Sequence, residues 1–326
     1  MVGQTVSIKT SFIIPHKGRE EMLLETIQSI ADLDTPKTEF EVIIVSQNDS
    51  VSELIQSYNK TLNLSVIYNN EERTISHSRN TGAKQAQGEY LAFLDADIQL
   101  APDWLNIMLS ELNKATDTVL TFGTQKPSSN ANSIEKIRSY LASATSGHFT
   151  ESAPGANLFL SRKIFDQAGG FPENLKTCED IYFTNKVSKH GLLFHEPSAK
   201  FIHLGEDKSF IEMFKKEMWR GQSNVASLKG RNIPIREIPS FIVPFVVSIG
   251  IVLAPILFSL ELYIALFVNL TFVLLPLSAY VIRLKKLVKK SVPLMYCAFF
   301  YSLYFPARAI GTVIGVRGAV ATSSHK

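Results

Sequence analysis

Short apolar runs alternate with amphipathic stretches along residues 1–204. Phe40–Val45 is rich in β-branched residues, which is typical of a strand buried on both faces of a parallel sheet. Glu20–Leu33 instead repeats its apolar residues at helical spacing. Such alternation predicts an α/β domain with a mostly parallel sheet covered by helices. The predicted strands are Ser7–Ile14 (ended by Pro15), Phe40–Val45, Leu64–Tyr68 and Tyr90–Leu94, and the predicted helices are Glu20–Leu33, Val51–Tyr58 and Ser76–Ala86.

Long apolar runs replace this pattern towards the C-terminus. Ile238–Leu260 and Leu262–Ile282 have no charged residue over 23 and 21 positions, and about 20 helical residues cross a bilayer core. A third run, Ser291–Val316, contains Pro306 and Arg308. Because an arginine near mid-bilayer costs at least ~2.5 kcal/mol, this run is predicted to be either a third span or a re-entrant or interfacial helix. The alternative for all three is a set of buried core helices in a large domain.

Composition and charge narrow the class of protein. With 326 residues and 45% hydrophobic content the chain is not disordered, and two cysteines, Cys178 and Cys297, do not suggest a disulfide framework. Residues 1–204 contain 18 Lys and Arg against 24 Asp and Glu, whereas residues 205–326 contain 15 against 6. A basic end that also carries apolar runs predicts contact with membrane lipids and not with nucleic acid.

The distribution of positive charge predicts the topology. Arg283–Lys290 has five basic residues in eight, and positive loops face the cytoplasm. Two spans in series would return the chain to the side of residues 1–204, and Ser11–Pro15 is too short for a signal peptide. We therefore expect a multi-pass protein of the cell (inner) membrane with a cytoplasmic catalytic domain.

Three segments follow from these patterns. Residues 1–204 are predicted to form the soluble domain, residues 205–237 an amphipathic juxtamembrane segment, and residues 238–326 the membrane region. Within the middle segment, Ser209–Leu228 mixes aromatic residues with lysines at a spacing typical of a helix lying in the interface. The alternative is an ordinary helix that caps the soluble domain.

Two carboxylates mark the most informative position. Asp95 and Asp97 directly follow the apolar run Leu91–Leu94. In parallel sheets ligands bind at the carboxyl ends of strands, and two acids at a buried strand end are costly unless a cation is present. Residues spaced i, i+2 can reach one hard divalent cation through oxygen, such as a metal bound to a diphosphate. The alternative is that Asp97 caps a helix near Pro102–Leu112.

This region resembles a known family. Arg79-Asn80-Thr81-Gly82, followed by Gly88–Asp97, is similar to the nucleotide-sugar-binding half of family 2 glycosyltransferases. The first strand ending in Pro15 and the acidic start of the second strand, Glu41–Val45, also resemble that family. The resemblance covers about residues 8–204. It implies the GT-A fold, a Rossmann-like, mostly parallel sheet, here followed by an α-helical membrane domain.

The resemblance also implies the donor and metal residues. Asp95 and Asp97 would be the D-x-D pair that binds Mg²⁺ or Mn²⁺ on the diphosphate, with Asp95 nearer the ribose or sugar. Arg79 would neutralise phosphate or contact the base. At the turn after Val45 the family usually has Asp-Asp or Asp-Asn, whereas this chain has Ser46–Ser50, so either Gln47 or Asp49 would take that role. Pro15 is a further residue expected to contact the nucleotide sugar. Gln99 would complete the metal shell, as in polyprenyl-phosphate mannose synthases. His203 is either a further metal ligand or a structural histidine.

The acceptor side is implied by two later motifs. Gly155-Ala156-Asn157 resembles the segment that lies against the donor sugar, and Cys178-Glu179-Asp180 resembles a Thr-Glu-Asp motif. Asp180 would be the general base, taking the proton from the acceptor hydroxyl, and Glu179 would contact the nucleotide sugar. The alternative for both acids is a helix N-cap.

The predicted function is that of a membrane-anchored, metal-dependent, inverting glycosyltransferase of the hexosyltransferase type. It would transfer sugar from a nucleotide-diphosphate donor, expected to be a UDP-sugar, to a lipid-linked or cell-envelope saccharide acceptor. One alternative is a polyprenyl-phosphate sugar synthase, whose acceptor is a phosphate. Another is a non-catalytic nucleotide-sugar-binding membrane subunit.

Overall fold

A computed structural model describes residues 8–114, 117–225, 228 and 235–323. The described residues fall into two compact units. The N-terminal unit lies within Met1–Ser128 and Ala142–Gly205, and the helical unit within Ser129–Leu141 and Glu206–Lys326. The domain boundaries at residues 204 and 237 remain predictions.

Strands and helices alternate through the N-terminal unit, and helices alone follow it. The strands are β1 (Thr10–His16), β2 (Phe40–Ser46), β3 (Leu64–Tyr68), β4 (Tyr90–Leu94), β5 (Ile98–Leu100), β6 (Thr118–Lys126), β7 (Phe149–Thr150), β8 (Asn157–Ser161) and β9 (Leu192–His203). The helices are α1 (Glu20–Ala31), α2 (Glu53–Ser57), α3 (Ile75–Gln85), α4 (Trp104–Lys114), α5 (Ser133–Ala142), α6 (Arg162–Ala168), α7 (Glu179–Val187), α8 (Phe210–Gly221), α9 (Ile238–Ser259), α10 (Tyr263–Val288) and α11 (Leu294–Ser323).

One mixed sheet carries the N-terminal unit. Its order is β3-β2-β1-β4-β8-β6-β9-β5, with β7 paired to β9. The pairs among β1, β2, β3 and β4 are parallel, as the sequence predicts. The β4–β8, β6–β8 and β5–β9 pairs are antiparallel, so the second half of the sheet departs from the parallel pattern.

The first strand extends further than predicted. Pro15 does not end β1, which continues to His16. Pairing of β1 with β4 stops at Ile13, whereas Pro15 is paired with Val45 of β2. Proline is tolerated at position 15 because β1 is no longer paired with β4 there, so that no backbone N–H is needed on that side.

Both faces of the sheet are buried by packed side chains. Successive residues of a strand point to opposite faces. Phe12 and Ile14 pack with Ile27 of α1 on one face, and Ile13 packs with Phe183 of α7 on the other. Because β1, β2, β3 and β4 are parallel, their carboxyl ends meet at one edge of the sheet. The candidate site lies at this edge.

The helical unit contains three helices long and apolar enough to cross a membrane: Ile238–Ser259, Tyr263–Val288 and Leu294–Arg317. The basic stretch Arg283–Lys290, predicted as a loop, is helical as far as Val288. Its apolar residues at positions 284 and 288 are buried on one face of α10, which explains why the helix continues.

The third apolar run forms one continuous helix, α11, across Pro306. Arg308 lies 3.5 Å from Glu217, donates to Asn224 at 3.3 Å and lies over the ring of Tyr304. Its charge is therefore neutralised by α8 and the turn that follows. This pairing removes the main argument for a re-entrant segment.

Helix α8 packs closely on α11 within the helical unit. Met213, Glu217 and Gly221 form its buried face, and Gly311 and Gly315 of α11 leave no room for a Cβ against the α8 backbone and the residue that follows it. Within the predicted interface helix Ser209–Leu228, α8 is thus docked on α11, while residues 226 and 227 lie outside the described residues.

Candidate active site

Three side chains from two strand ends form a possible metal site. Asp95 and Asp97 follow β4, and the β5–β9 pair places Ile98 opposite His203 at the end of β9. One ligand atom from each of Asp95, Asp97 and His203 lies within 4.8 Å of the others. Carboxylate oxygens suit Mg²⁺ and Mn²⁺, and the imidazole favours Mn²⁺ of the two. The residues present therefore fit a divalent cation.

Asp97 lies at the centre of this cluster. Its Oδ1 is 3.1 Å from Nε2 of His203, and its Oδ2 is 3.1 Å from Nη2 of Arg19. The side chain is only 8% exposed. Because α4 begins seven residues later, at Trp104, Asp97 does not cap that helix, and the alternative interpretation is wrong.

The three candidate ligands Asp95, Asp97 and His203 are called the metal cluster. Arg79 connects this cluster to the acids of α7. It is buried in α3, and its Nη2 donates to Oδ1 of Asp95 at 2.9 Å while its Nη1 donates to Oε1 of Glu179 at 2.9 Å. Nη2 also donates to the carbonyl of Gly155 at 3.2 Å, and the guanidinium lies over the ring of Phe171. This geometry favours a positioning role for Arg79 over the predicted contact with phosphate or base.

Two acids of this network, Asp95 and Glu179, have raised pKa values. Burial raises the pKa of Asp95, and repulsion from Asp97 adds to the effect against the attraction of Arg79. Burial also raises the pKa of Glu179, to about 7, with a further contribution from Asp180. Removing a carboxylate from water disfavours its charged form. The site therefore has a surplus of acid groups that an added cation would stabilise.

Asp180 is held by backbone donors. Its Oδ2 accepts from the N–H of Gly155 at 2.8 Å, and its Oδ1 accepts from the N–H of Ile181 at 2.8 Å. The N-cap of α7 is Cys178, with φ 61° and no side-chain capping bond. The helix-cap alternative for Glu179 and Asp180 is therefore wrong, although both acids occupy the first turn, where the helix dipole favours negative charge.

Gly155 lies between Arg79 and Asp180. A Cβ at this position would be 2.9 Å from Nη2 of Arg79 and 3.0 Å from Cβ of Asp180. Only glycine fits there without displacing one of these groups. The next two residues serve the scaffold, because the carbonyl of Ala156 accepts from the N–H of Asp95 at 3.0 Å and Oδ1 of Asn157 accepts from the N–H of Gly123 at 2.9 Å.

The remaining predicted residues lie on loops and edges of the same unit. Nε2 of Gln47 donates to the carbonyls of Asn70, Glu71 and Arg73 and so organises the loop after β3. Asp49 is exposed in the turn after β2, and Gln99 is exposed on β5, two residues beyond Asp97. Their predicted roles stay predictions.

Arg19 is a residue that the sequence analysis did not single out. It precedes α1 in a left-handed conformation, with φ 38°, directly after Gly18 with φ 66°. The available signal was a glycine and a cation immediately after the strand that ends at His16. The direction of the arginine side chain could not be deduced from that signal.

Comparison with known proteins identifies the family. Residues 11–171 match the family model described as glycosyl transferase family 2. The chain has a family 2 glycosyltransferase domain. The matched range includes Asp95 and Asp97 but ends before Asp180 and His203.

Two relatives of this chain have informative descriptions. The poly(ribitol-phosphate) β-N-acetylglucosaminyltransferase TarS of Staphylococcus aureus is 29% identical over 230 residues, which is 64% of this chain and 36% of TarS. The chain thus spans about a third of that relative. A glucosyl-dolichyl phosphate glucuronosyltransferase of Haloferax volcanii is 27% identical over 166 residues, covering 48% of this chain and 53% of the relative.

A solved structure supports the fold. The mannosyltransferase PcManGT of Pyrobaculum calidifontis, in complex with GDP-Man and Mn²⁺, matches with a TM-score of 0.62 and 16% identity. The match covers 94% of this chain and 87% of PcManGT. At this identity the likeness shows a shared architecture, the GT-A fold that the sequence predicts.

Proposed function

We propose that this chain is a membrane-anchored, metal-dependent, inverting glycosyltransferase that uses a nucleotide-diphosphate sugar. One observation carries the proposal: the guanidinium of Arg79 joins Asp95 of the metal cluster to Glu179, the neighbour of Asp180. Inverting transfer needs a cation for the departing diphosphate and a base for the incoming hydroxyl. The carboxylates that would hold the cation and the acid proposed as the base belong to one hydrogen-bonded network, through Arg79 and Gly155.

The residues divide these tasks. Asp95, Asp97 and His203 would hold Mn²⁺ or Mg²⁺, which when bound offsets charge on the diphosphate. Asp180 takes the proton of the acceptor hydroxyl, and the N–H of Gly155 fixes the carboxylate that receives it. Arg79 keeps Asp95 and Glu179 in place and balances part of their charge.

The acceptor is proposed to be a lipid-linked or cell-envelope saccharide. Three helices are long and apolar enough to cross a membrane, which supports this proposal because a lipid-linked acceptor would be found there. The basic residues of Arg283–Lys290 support a cytoplasmic catalytic domain in the inner membrane. The two relatives are named for poly(ribitol phosphate) and glucosyl-dolichyl phosphate, which are both consistent with such an acceptor.

The two alternatives differ in their need for Asp180. A polyprenyl-phosphate acceptor is already ionised and needs no base, and a non-catalytic binding subunit has no proton to transfer. The carboxylate of Asp180 is nevertheless held by two backbone donors. This fixed position favours a hydroxyl acceptor.

A donor screen with the detergent-purified full chain tests the proposal. UDP- and GDP-sugars are supplied with Mn²⁺ and candidate acceptors, and release of the nucleoside diphosphate is measured. Asp180→Asn should lower turnover by about 100- to 10,000-fold and leave donor binding intact, while Asp166→Asn on the exposed face of α6 should change neither. Full turnover by Asp180→Asn would move the assignment to the phosphate-acceptor alternative. Donor binding with no product from any acceptor would support the non-catalytic one.

A further inference from the structure

Arg19 presents an exposed cation to the most buried metal ligand. Its Nη2 lies 3.1 Å from Oδ2 of Asp97, and its side chain is 59% exposed. The nearby Lys17 is turned elsewhere, since its Nζ donates to the carbonyl of Glu71 at 2.9 Å. Arg19 is therefore the charged group of this turn that reaches the metal cluster.

Helix capping does not account for an arginine at this position. The carbonyl of Arg19 accepts from the N–H groups of Met22 and Leu23 at the start of α1, a role that any residue can fill. The left-handed backbone, with φ 38°, is unfavourable for arginine and would suit glycine or asparagine. Because the guanidinium of Arg19 is largely exposed, its ion pair with Asp97 adds little to stability. The side chain thus points to function, since such local strain is concentrated at functional sites.

The turn that carries Arg19 is firmly held. Gly18 donates its N–H to Oδ1 of Asn48 at 2.8 Å, and Nε2 of His16 contacts the carbonyl of Gly18. The other ring nitrogen of His16 lies 3.1 Å from Oγ of Ser46. The backbone is therefore fixed, and the long, exposed side chain is the part that can turn.

We infer that Arg19 binds the donor diphosphate and is held on Asp97 until the cation and the donor arrive. This inference rests on the proposed function. A divalent cation on Asp97 would repel the guanidinium from that carboxylate. The same cation would bring the diphosphate alongside it, and the planar fork of a guanidinium matches phosphate oxygens in a bidentate manner. The side chain of Arg19 would thus exchange its contact with Asp97 for a contact with the diphosphate, while its backbone stays in the turn.

The exchange predicts effects of opposite sign on metal and nucleotide binding. Mn²⁺ binding is measured by electron paramagnetic resonance without nucleotide, and binding of UDP and GDP is measured by calorimetry in saturating Mn²⁺. Arg19→Gln should bind Mn²⁺ several-fold more tightly, because a competing cation is gone. The same variant should bind the nucleoside diphosphate about tenfold or more weakly, because a charge-assisted contact is lost.

Two further variants sharpen the result. Arg19→Lys keeps the charge without the fork and should lie between wild type and Arg19→Gln in nucleotide affinity. Lys37→Gln, an exposed cation of the same unit, should leave both affinities unchanged. Unfolding temperatures of all variants identify any loss of structure.

Each outcome decides the inference. Nucleotide affinity of Arg19→Gln within twofold of wild type would overturn it, and so would a parallel weakening of metal and nucleotide binding, which indicates a merely structural role. If wild type itself bound neither UDP nor GDP, the proposed function would fail, and this inference with it.

Discussion

The Nη2 atom of Arg79 lies 2.9 Å from Oδ1 of Asp95, with the arginine side chain only 2% exposed. A buried guanidinium in this position fixes the orientation of Asp95, which is one of the proposed metal ligands. The partners that orient metal ligands commonly matter almost as much as the ligands themselves.

Arg79→Lys should therefore lower Mn²⁺ affinity and turnover by about 10- to 100-fold. An ammonium is a point charge and cannot bridge Asp95 and Glu179 as the planar guanidinium does. The measurement combines Mn²⁺ titration with turnover under saturating donor. Wild-type values for both quantities would show that Arg79 does not position Asp95.

Gly155→Ala should lower turnover by about 100-fold while the chain remains folded. The new Cβ would displace Arg79 or Asp180, and a shift of about 1 Å in a catalytic group costs rates of that order. Ser152→Ala, in the preceding loop, is the control and should retain activity. Turnover of Gly155→Ala equal to that of the control would mean that the acid at 180 needs no fixed position.

His195 should make the N-terminal unit sensitive to acid. Burial lowers its pKa to about 4 from 6.5, so between these values the unfolded chain binds a proton that the folded chain does not. Stability is therefore lost as the pH falls from about 6.5 to 4, by up to ~3 kcal/mol. Unfolding temperatures across this range should decline less steeply in His195→Gln. Parallel pH profiles for the variant and wild type would assign the acid sensitivity to other groups.

Glu217 should be essential to the helical unit. Arg138 donates to its carboxylate at 2.9 Å, Arg220 also pairs with it, and Arg308 lies 3.5 Å away, while Glu217 itself is buried. Glu217→Gln leaves these guanidinium groups short of a partner and should destabilise the unit by about 3–5 kcal/mol. Lys215→Gln, on the exposed side of α8, should change stability by less than about 0.5 kcal/mol. Equal unfolding temperatures for the two variants in detergent would refute this expectation.

The local sequence pattern was sufficient to predict most strands in the first half of the N-terminal unit. Short apolar runs, β-branched in the case of β2, predicted β2, β3 and β4. The position of Asp95 directly after such a run predicted a site at a strand end. These features depend on neighbours in sequence, where periodicity and strand direction act together.

Long-range pairing determined what the sequence could not predict. His203 approaches Asp97 because β5 pairs with β9 across about a hundred residues, and no local signal specifies that partner. The cost of Arg308 in an apolar helix left both a third span and a re-entrant helix open, because its counter-charge, Glu217, comes from α8. Likewise, the contacts of Arg79 with Asp95 and Glu179 could not be predicted, because these partners come from distant segments of the chain.

Binding of UDP and GDP to the full chain, measured by calorimetry with Mn²⁺ and then with EDTA, tests most directly whether Asp97 holds a diphosphate-bound cation. Wild type should bind one of these nucleotides only when Mn²⁺ is present. Asp97→Asn should bind it at least about 100-fold more weakly, since a direct ligand matters more than its supporting partners, and the exposed Asp103→Asn should match wild type. Undiminished binding in EDTA, or by Asp97→Asn, would contradict the metal site.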